Sequence, residues 1–154
     1  MGDKVHDYLV DWVINYLKNR DLLVKRIETI EKDNSGFDVY VKFKDKEQFF
    51  IISPLMKEVD KALSKFDPDR HFGLVVLNTT GNFDALVKEW GKFVKFKHLS
   101  VYFVNPFSQL DKRWIIFPYT HNNICGEGAL KKGLMAMFEM VEPVTESMIK
   151  DRFE

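Results

Sequence analysis

Between Tyr119 and Gly128 the chain reads YTHNNICGEG, a polar stretch whose side chains could do chemistry of two kinds. His121 and Cys125 lie four residues apart, and a cysteine thiolate held by a neighbouring cation or a helix N-terminus is a nucleophile. Cys125 stands just ahead of an apolar-periodic segment, where a helix start is expected. The spacing matches no thiol-enzyme pattern, and a loop of that length fixes no geometry. Gly126 and Gly128 supply backbone freedom and the asparagines accept loop conformations, so the residue types favour a capping and turn role. The second kind of chemistry is anion binding. Free N–H groups at a helix start attract phosphate or carboxylate, and His121, Asn122, Asn123 and Glu127 would surround such a group here.

Further along the same lines, KEWGKFVKFKHL interleaves Lys88, Lys92, Lys95 and Lys97 with Trp90, Phe93 and Phe96. Charge and stacking rings together suit nucleic acid, but the same pattern describes an amphipathic helix with a solvated lysine face. The histidines His6, His71, His98 and His121 are scattered, without the HxH or HExxH spacing that gathers zinc. Neither GxGxxG nor a Walker A pattern occurs, which disfavours nucleotide binding through those loops. Met135, Met137 and Met140 share one helical segment; Met137 belongs to its inward stripe, and the other two fall off it, where methionine suits a partner surface.

The elements that must position these residues are legible from periodicity. Val5, Tyr8, Leu9, Trp12, Val13, Tyr16 and Leu17 recur at helical spacing, with Asp3 placed to cap the start. A mixed-sign polar face marks this helix as core-packing rather than lipid-bound. LLVKRIETIEK reads as a strand and DNSG as a turn. Phe37, Val39, Val41 and Phe43 alternate with polar residues as a half-buried strand does. KDKE turns the chain into QFFIIS, a continuous apolar strand ended by Pro54. Val59, Ala62, Leu63 and Phe66 mark a short helix, and HFGLVVLNT a buried strand. A helix after Asn82 carries Phe83, Leu86, Val87, Trp90 and Val94. LSVYFVNP and RWIIFPY are strands, and Ala129, Leu130, Gly133, Leu134, Met137, Phe138 and Val141 form the last amphipathic helix. The tail from Pro143 starts a short helix or frays. This order predicts an α/β fold in the α+β sense: an antiparallel three-strand meander, then strand-helix units, in one mixed sheet flanked by helices.

At 154 residues the chain suits a single domain over 1–154, large enough to bury roughly 70% of its unfolded surface. Lys+Arg and Asp+Glu are both 23, which argues against a generally basic, nucleic-acid-coated surface but leaves room for a local basic patch. The single cysteine, Cys125, rules out an intrachain disulfide and a cysteine zinc cluster. The opening MGDKVHDYLV is amphipathic and mixed in charge rather than a signal peptide, and no apolar run approaches the ~20 residues that span a bilayer. The expected setting is the cytoplasm, with no membrane partner.

The opening order of helix, three-strand meander, helix and strand, from Val5 to about Thr79, resembles the core of the restriction-endonuclease-like, or PD-(D/E)XK, superfamily. The resemblance implies an Asp on the second strand, and on the third an acidic residue, one intervening residue and a Lys. It implies Mg²⁺ on the carboxylates, lowering the pKa of an attacking water and neutralising charge on the phosphate. Asp38, at the head of its strand, takes the first position. With a hairpin folded near Asp45 and Lys46, Asp38 is expected opposite Ser53, so the acid and Lys positions fall near Ile51 and Ser53, which can do neither job. Lys57, just beyond Pro54, is the lysine placed to reach back, and Glu28, Asp7 or Asp11 are the carboxylates that would complete a metal pair.

The preferred reading is thus a nuclease-like domain without a catalytic centre, acting by binding nucleic acid or a protein partner, with a homodimer through the C-terminal helix. The alternative is a Mg²⁺-dependent nuclease using Asp38, as metal ligand and catalytic residue, with a displaced Lys57. A third is a small-anion-binding regulatory domain using the loop before the last helix.

Overall fold

The amphipathic stripe at the N-terminus becomes helix α1 (Gly2–Asp21), which buries Val5, Leu9, Val13 and Leu17 along one face of a sheet. The computed structural model describes residues 2–56, 59–110 and 112–153, the side chains of residues 2, 3 and 127 excepted, so the cap assigned to Asp3 lies outside the described residues. The Asp21 carboxylate ends α1 by accepting the N–H groups of Arg26 and Ile27 at 2.8 and 3.0 Å. Lys25 turns there with φ +51°. That turn corrects the first strand: it begins at Ile27, and Leu22, Leu23 and Val24 are exposed loop rather than strand.

Strands β1 (Ile27–Asn34), β2 (Phe37–Phe43) and β3 (Glu47–Ile52) form the expected antiparallel meander. Ser35 and Gly36, both at positive φ, make the two-residue turn between β1 and β2, the backbone twist that suits a tight hairpin. The next turn is Lys44–Asp45, closed by Phe43 N donating to Lys46 O at 2.8 Å. It sits one residue earlier than the sequence suggests. Val39 therefore pairs with Phe50 and Val41 with Gln48, and Asp38 falls beside Ile51, not Ser53.

Helix α2 (Val59–Leu63) crosses to β4 (His71–Leu77), parallel to β3. Helices α3 (Thr80–Lys88) and α4 (Trp90–Phe93) cross to β5 (Leu99–Val104), parallel to β4. The single helix expected here is broken at Glu89, whose φ and ψ of −102° and 18° leave the helical range. Strand β6 (Arg113–Ile116) closes the sheet antiparallel to β5, giving the six-stranded order β1-β2-β3-β4-β5-β6.

The stretch expected as a polar loop is instead helix α5 (Pro118–Ile124). Pro118 occupies its first turn, where a fixed φ helps and no N–H is missed. Helices α6 (Glu127–Glu139) and α7 (Glu146–Phe153) complete the chain. The result is an α/β fold, a mixed sheet with helices on both faces. Alternation along the strands sends Phe49, Ile51, Phe72, Leu74 and Phe103 to the core under α2, α3, α4 and α6. Val39, Val41, Phe50, Ile52, Val75 and Tyr102 go to the core under α1 and α7. No described helix is long and apolar enough to cross a membrane.

Candidate functional site

Asp38 opens β2 one residue before its ladder with β3 begins. Successive N–H groups on a strand point to opposite neighbours. Ser53 N donates to Val75 O of β4 at 2.9 Å, so Ile52 N faces β2, where the ladder has run out. The Asp38 carboxylate fills that gap: its Oδ2 accepts Ile52 N at 2.7 Å. The other oxygen, Oδ1, lies 3.0 Å from Nε2 of His6, on the first turns of α1. His6 Nδ1 is 3.4 Å from Asp7 Oδ1. While Asp38 is ionised it can only accept, so the His6 nitrogen facing it is then the donor of that bond. Both Asp38 oxygens are engaged by protein groups.

A cavity of about 380 Å³ opens beside this carboxylate, between the end of β3 and α2. Asp38, Ile51, Ser53, Lys61 and Lys65 line it. The Ser53 hydroxyl donates to Leu55 O at 3.2 Å, within its own turn. Lys57 lies outside the described residues. Lys61 and Lys65 were missed as site residues, although Lys57, Lys61 and Lys65 stand four apart in sequence, a spacing that puts lysines on one side of a helix.

The carboxylates expected to join Asp38 are placed elsewhere. Glu28 is 3.8 Å from Lys42, at the other end of β1 and β2. Asp11 pairs with Lys32 at 2.6 Å, and Asp7 meets only the far nitrogen of His6. Among the described residues no group of three or more His, Cys, Asp or Glu is gathered closely enough to hold a metal ion. The arrangement offers a cation one carboxylate whose oxygens are already occupied, while the lysines of the lining are groups of the sign an anion requires.

Compared with family models, curated proteins and solved structures, the chain matches none.

The residues of the Tyr119–Gly128 stretch do not converge on one centre. His121 Nδ1 lies 3.0 Å from Phe117 O, and its ring stacks on Phe117. Asn122 Oδ1 accepts the Trp90 indole N–H at 3.0 Å, tying α5 to α4. Asn123 is exposed, and the Glu127 side chain lies outside the described residues. Asn122, Cys125, Lys131 and Trp90 do border a cavity of about 430 Å³ between α4, α5 and α6. In the lysine-aromatic segment, Lys92 is held by Asp60 at 2.9 Å and Glu89 at 3.0 Å, and Phe93 is fully buried, so that segment chiefly packs and pairs internally.

Proposed function

We propose that this chain is a non-catalytic nuclease-like domain that binds nucleic acid through the cleft beside Asp38. The observation that carries the reading is the state of that carboxylate. It bonds to Ile52 N and His6 while the wall across the cleft presents Lys61 and Lys65. A phosphodiester backbone needs cations, and among the described residues the cleft lining carries two lysines, Lys61 and Lys65, to one carboxylate, Asp38. The chain order of helix, antiparallel meander, helix and parallel strand supports the resemblance to the restriction-endonuclease-like core. The single cysteine supports a reducing, cytoplasmic setting.

The test is anisotropy of a labelled DNA or RNA oligomer over a salt series, with and without EDTA. Affinity should fall steeply with salt and ignore EDTA, and Lys61→Gln with Lys65→Gln should lower both affinity and salt slope. Cleavage in Mg²⁺ that Asp38→Asn abolishes would instead establish the nuclease. A second reading, contact with a protein or a second copy through α6, is favoured by Met135 and Met140, 40% and 66% exposed on that helix. Sedimentation over a concentration series with Met140→Lys decides it.

A further inference from the structure

The end of the sheet farthest from Asp38 holds a further cavity, of about 270 Å³, between the last turn of α1, the start of β1 and the β2–β3 hairpin. One side is apolar: Leu17, Val24, Ile27 and Phe43. The other carries Arg20, Arg26, Lys46 and the amide of Gln48. The charges are not balanced within it. Asp21 is occupied by the backbone N–H groups of Arg26 and Ile27, and Arg26 is paired with Asp45. Arg20 and Lys46 have no carboxylate partner among the described residues: Arg20 bonds to the hydroxyls of Tyr16, at 3.5 Å, and Tyr102, and Lys46 lies over the Phe43 ring. Gln48 is 8% exposed, and its side-chain amide N–H donates to Ser100 Oγ at 3.5 Å, the far limit of such a bond. An apolar lining bordered by two cations without carboxylate partners and by a glutamine amide suits a ligand that carries an anionic head on an apolar body.

We propose that this cavity binds a small organic anion with an apolar body. The head group would meet Arg20 and Lys46, the body would lie against Leu17, Val24, Ile27 and Phe43, and Gln48 would complete the hydrogen bonding. The size fits one ring with a substituent, since a dry cavity of roughly 150 Å³ accommodates benzene. The site stands apart from the Asp38 cleft and does not depend on how that cleft is used.

The experiment is amide NMR of the full chain titrated into the millimolar range with para-toluate, with its neutral amide para-toluamide, and with benzyl phosphate. Para-toluate or benzyl phosphate should shift residues 17–27 and 43–48, and the tighter of the two identifies the head group. Para-toluamide should bind about tenfold or more weakly, as should para-toluate to Lys46→Gln, an exposed substitution that leaves the fold intact, and to Arg20→Gln. Lys65→Gln, in the other cleft, should change nothing. The proposal is overturned if no anion shifts these residues, if the neutral amide binds equally well, if folded Arg20→Gln/Lys46→Gln binds like the parent, or if Lys65→Gln abolishes the effect.

Discussion

His6 Nε2 stands 3.0 Å from Asp38 Oδ1, and the partner oxygen of that carboxylate accepts Ile52 N at 2.7 Å. Asp38 thus completes a backbone ladder at a sheet end and ties α1 to it. Ile52 is 3% exposed, so removing the acceptor leaves a buried N–H without a partner. Asp38→Ala should therefore destabilise by about 1–3 kcal/mol, and Asp38→Asn, which keeps an acceptor oxygen, by less. His6→Ala should lower stability by less than about 1 kcal/mol, because that pair is part-exposed. Urea midpoints of the three variants measure this. An unchanged midpoint for Asp38→Ala would mean that the carboxylate is held there for chemistry rather than for Ile52.

The meander, the parallel crossovers and the two cores were legible because alternation and helical stripes are local signals. What failed were features set by one turn or by distant partners. A turn one residue earlier moved Asp38 from Ser53 to Ile51, since hairpin register inherits every residue of turn position. The expected strand RWIIFPY runs through Pro118, but the strand ends at Ile116 and Pro118 begins a helix, whose first turn suits proline's fixed φ. The His6–Asp38 contact spans 32 residues and has no local signature. The lysines of the cleft do have one, in their spacing of four from Lys57 through Lys61 to Lys65.

His71, which opens β4, and His98, in the turn just before β5, stack with ring centroids 4.4 Å apart. Burial first, then the nearby His98 and Lys46, holds the His71 imidazole below the usual histidine value of 6.5. The unfolded chain then binds more protons than the folded one between that lowered value and 6.5. This contribution to stability is complete above 6.5 and is lost as pH falls from there toward the folded value. Urea midpoints should drop between about pH 7.5 and about pH 5.5, and His71→Gln should flatten that slope. A slope that His71→Gln leaves untouched would assign the dependence to other groups.

Gly73 lies directly beside Phe50 on the next strand, and a Cβ there would run into the Phe50 ring. Phe50 is fully buried and packs against Tyr102, 5.9 Å between centroids, so the ring has little room to withdraw. Gly73→Ala should destabilise by about 1–3 kcal/mol through overpacking, although alanine suits a strand backbone better than glycine does. The double variant Gly73→Ala with Phe50→Leu should recover part of the loss beyond the additive value, which a double-mutant cycle in urea reads directly.

Asn82 carries a buried side-chain amide with three backbone partners. Its Oδ1 accepts Met56 N at 2.7 Å, and its Nδ2 donates to Pro54 O and Leu77 O, each at 2.8 Å. In sequence it stands where a helix cap is expected, but Thr79 is the cap, and its hydroxyl accepts Asn82 N at 3.0 Å. The side chain therefore clamps the β3–α2 connection, the rim of the Asp38 cleft, onto the end of β4. Asn82→Ala strands these buried backbone groups together and should destabilise by about 3 kcal/mol or more, well beyond a single lost bond. Asn82→Asp keeps the acceptor for Met56 but sets a carboxylate against two carbonyls, so it should be comparably harmful. Hydrogen exchange separates the clamp from general destabilisation. In folded Asn82→Ala, Met56 and Ser53 amides should lose protection before those of β5, because only the connection is released. Uniform loss across the sheet would show that Asn82 supports the whole core and has no particular hold on the rim.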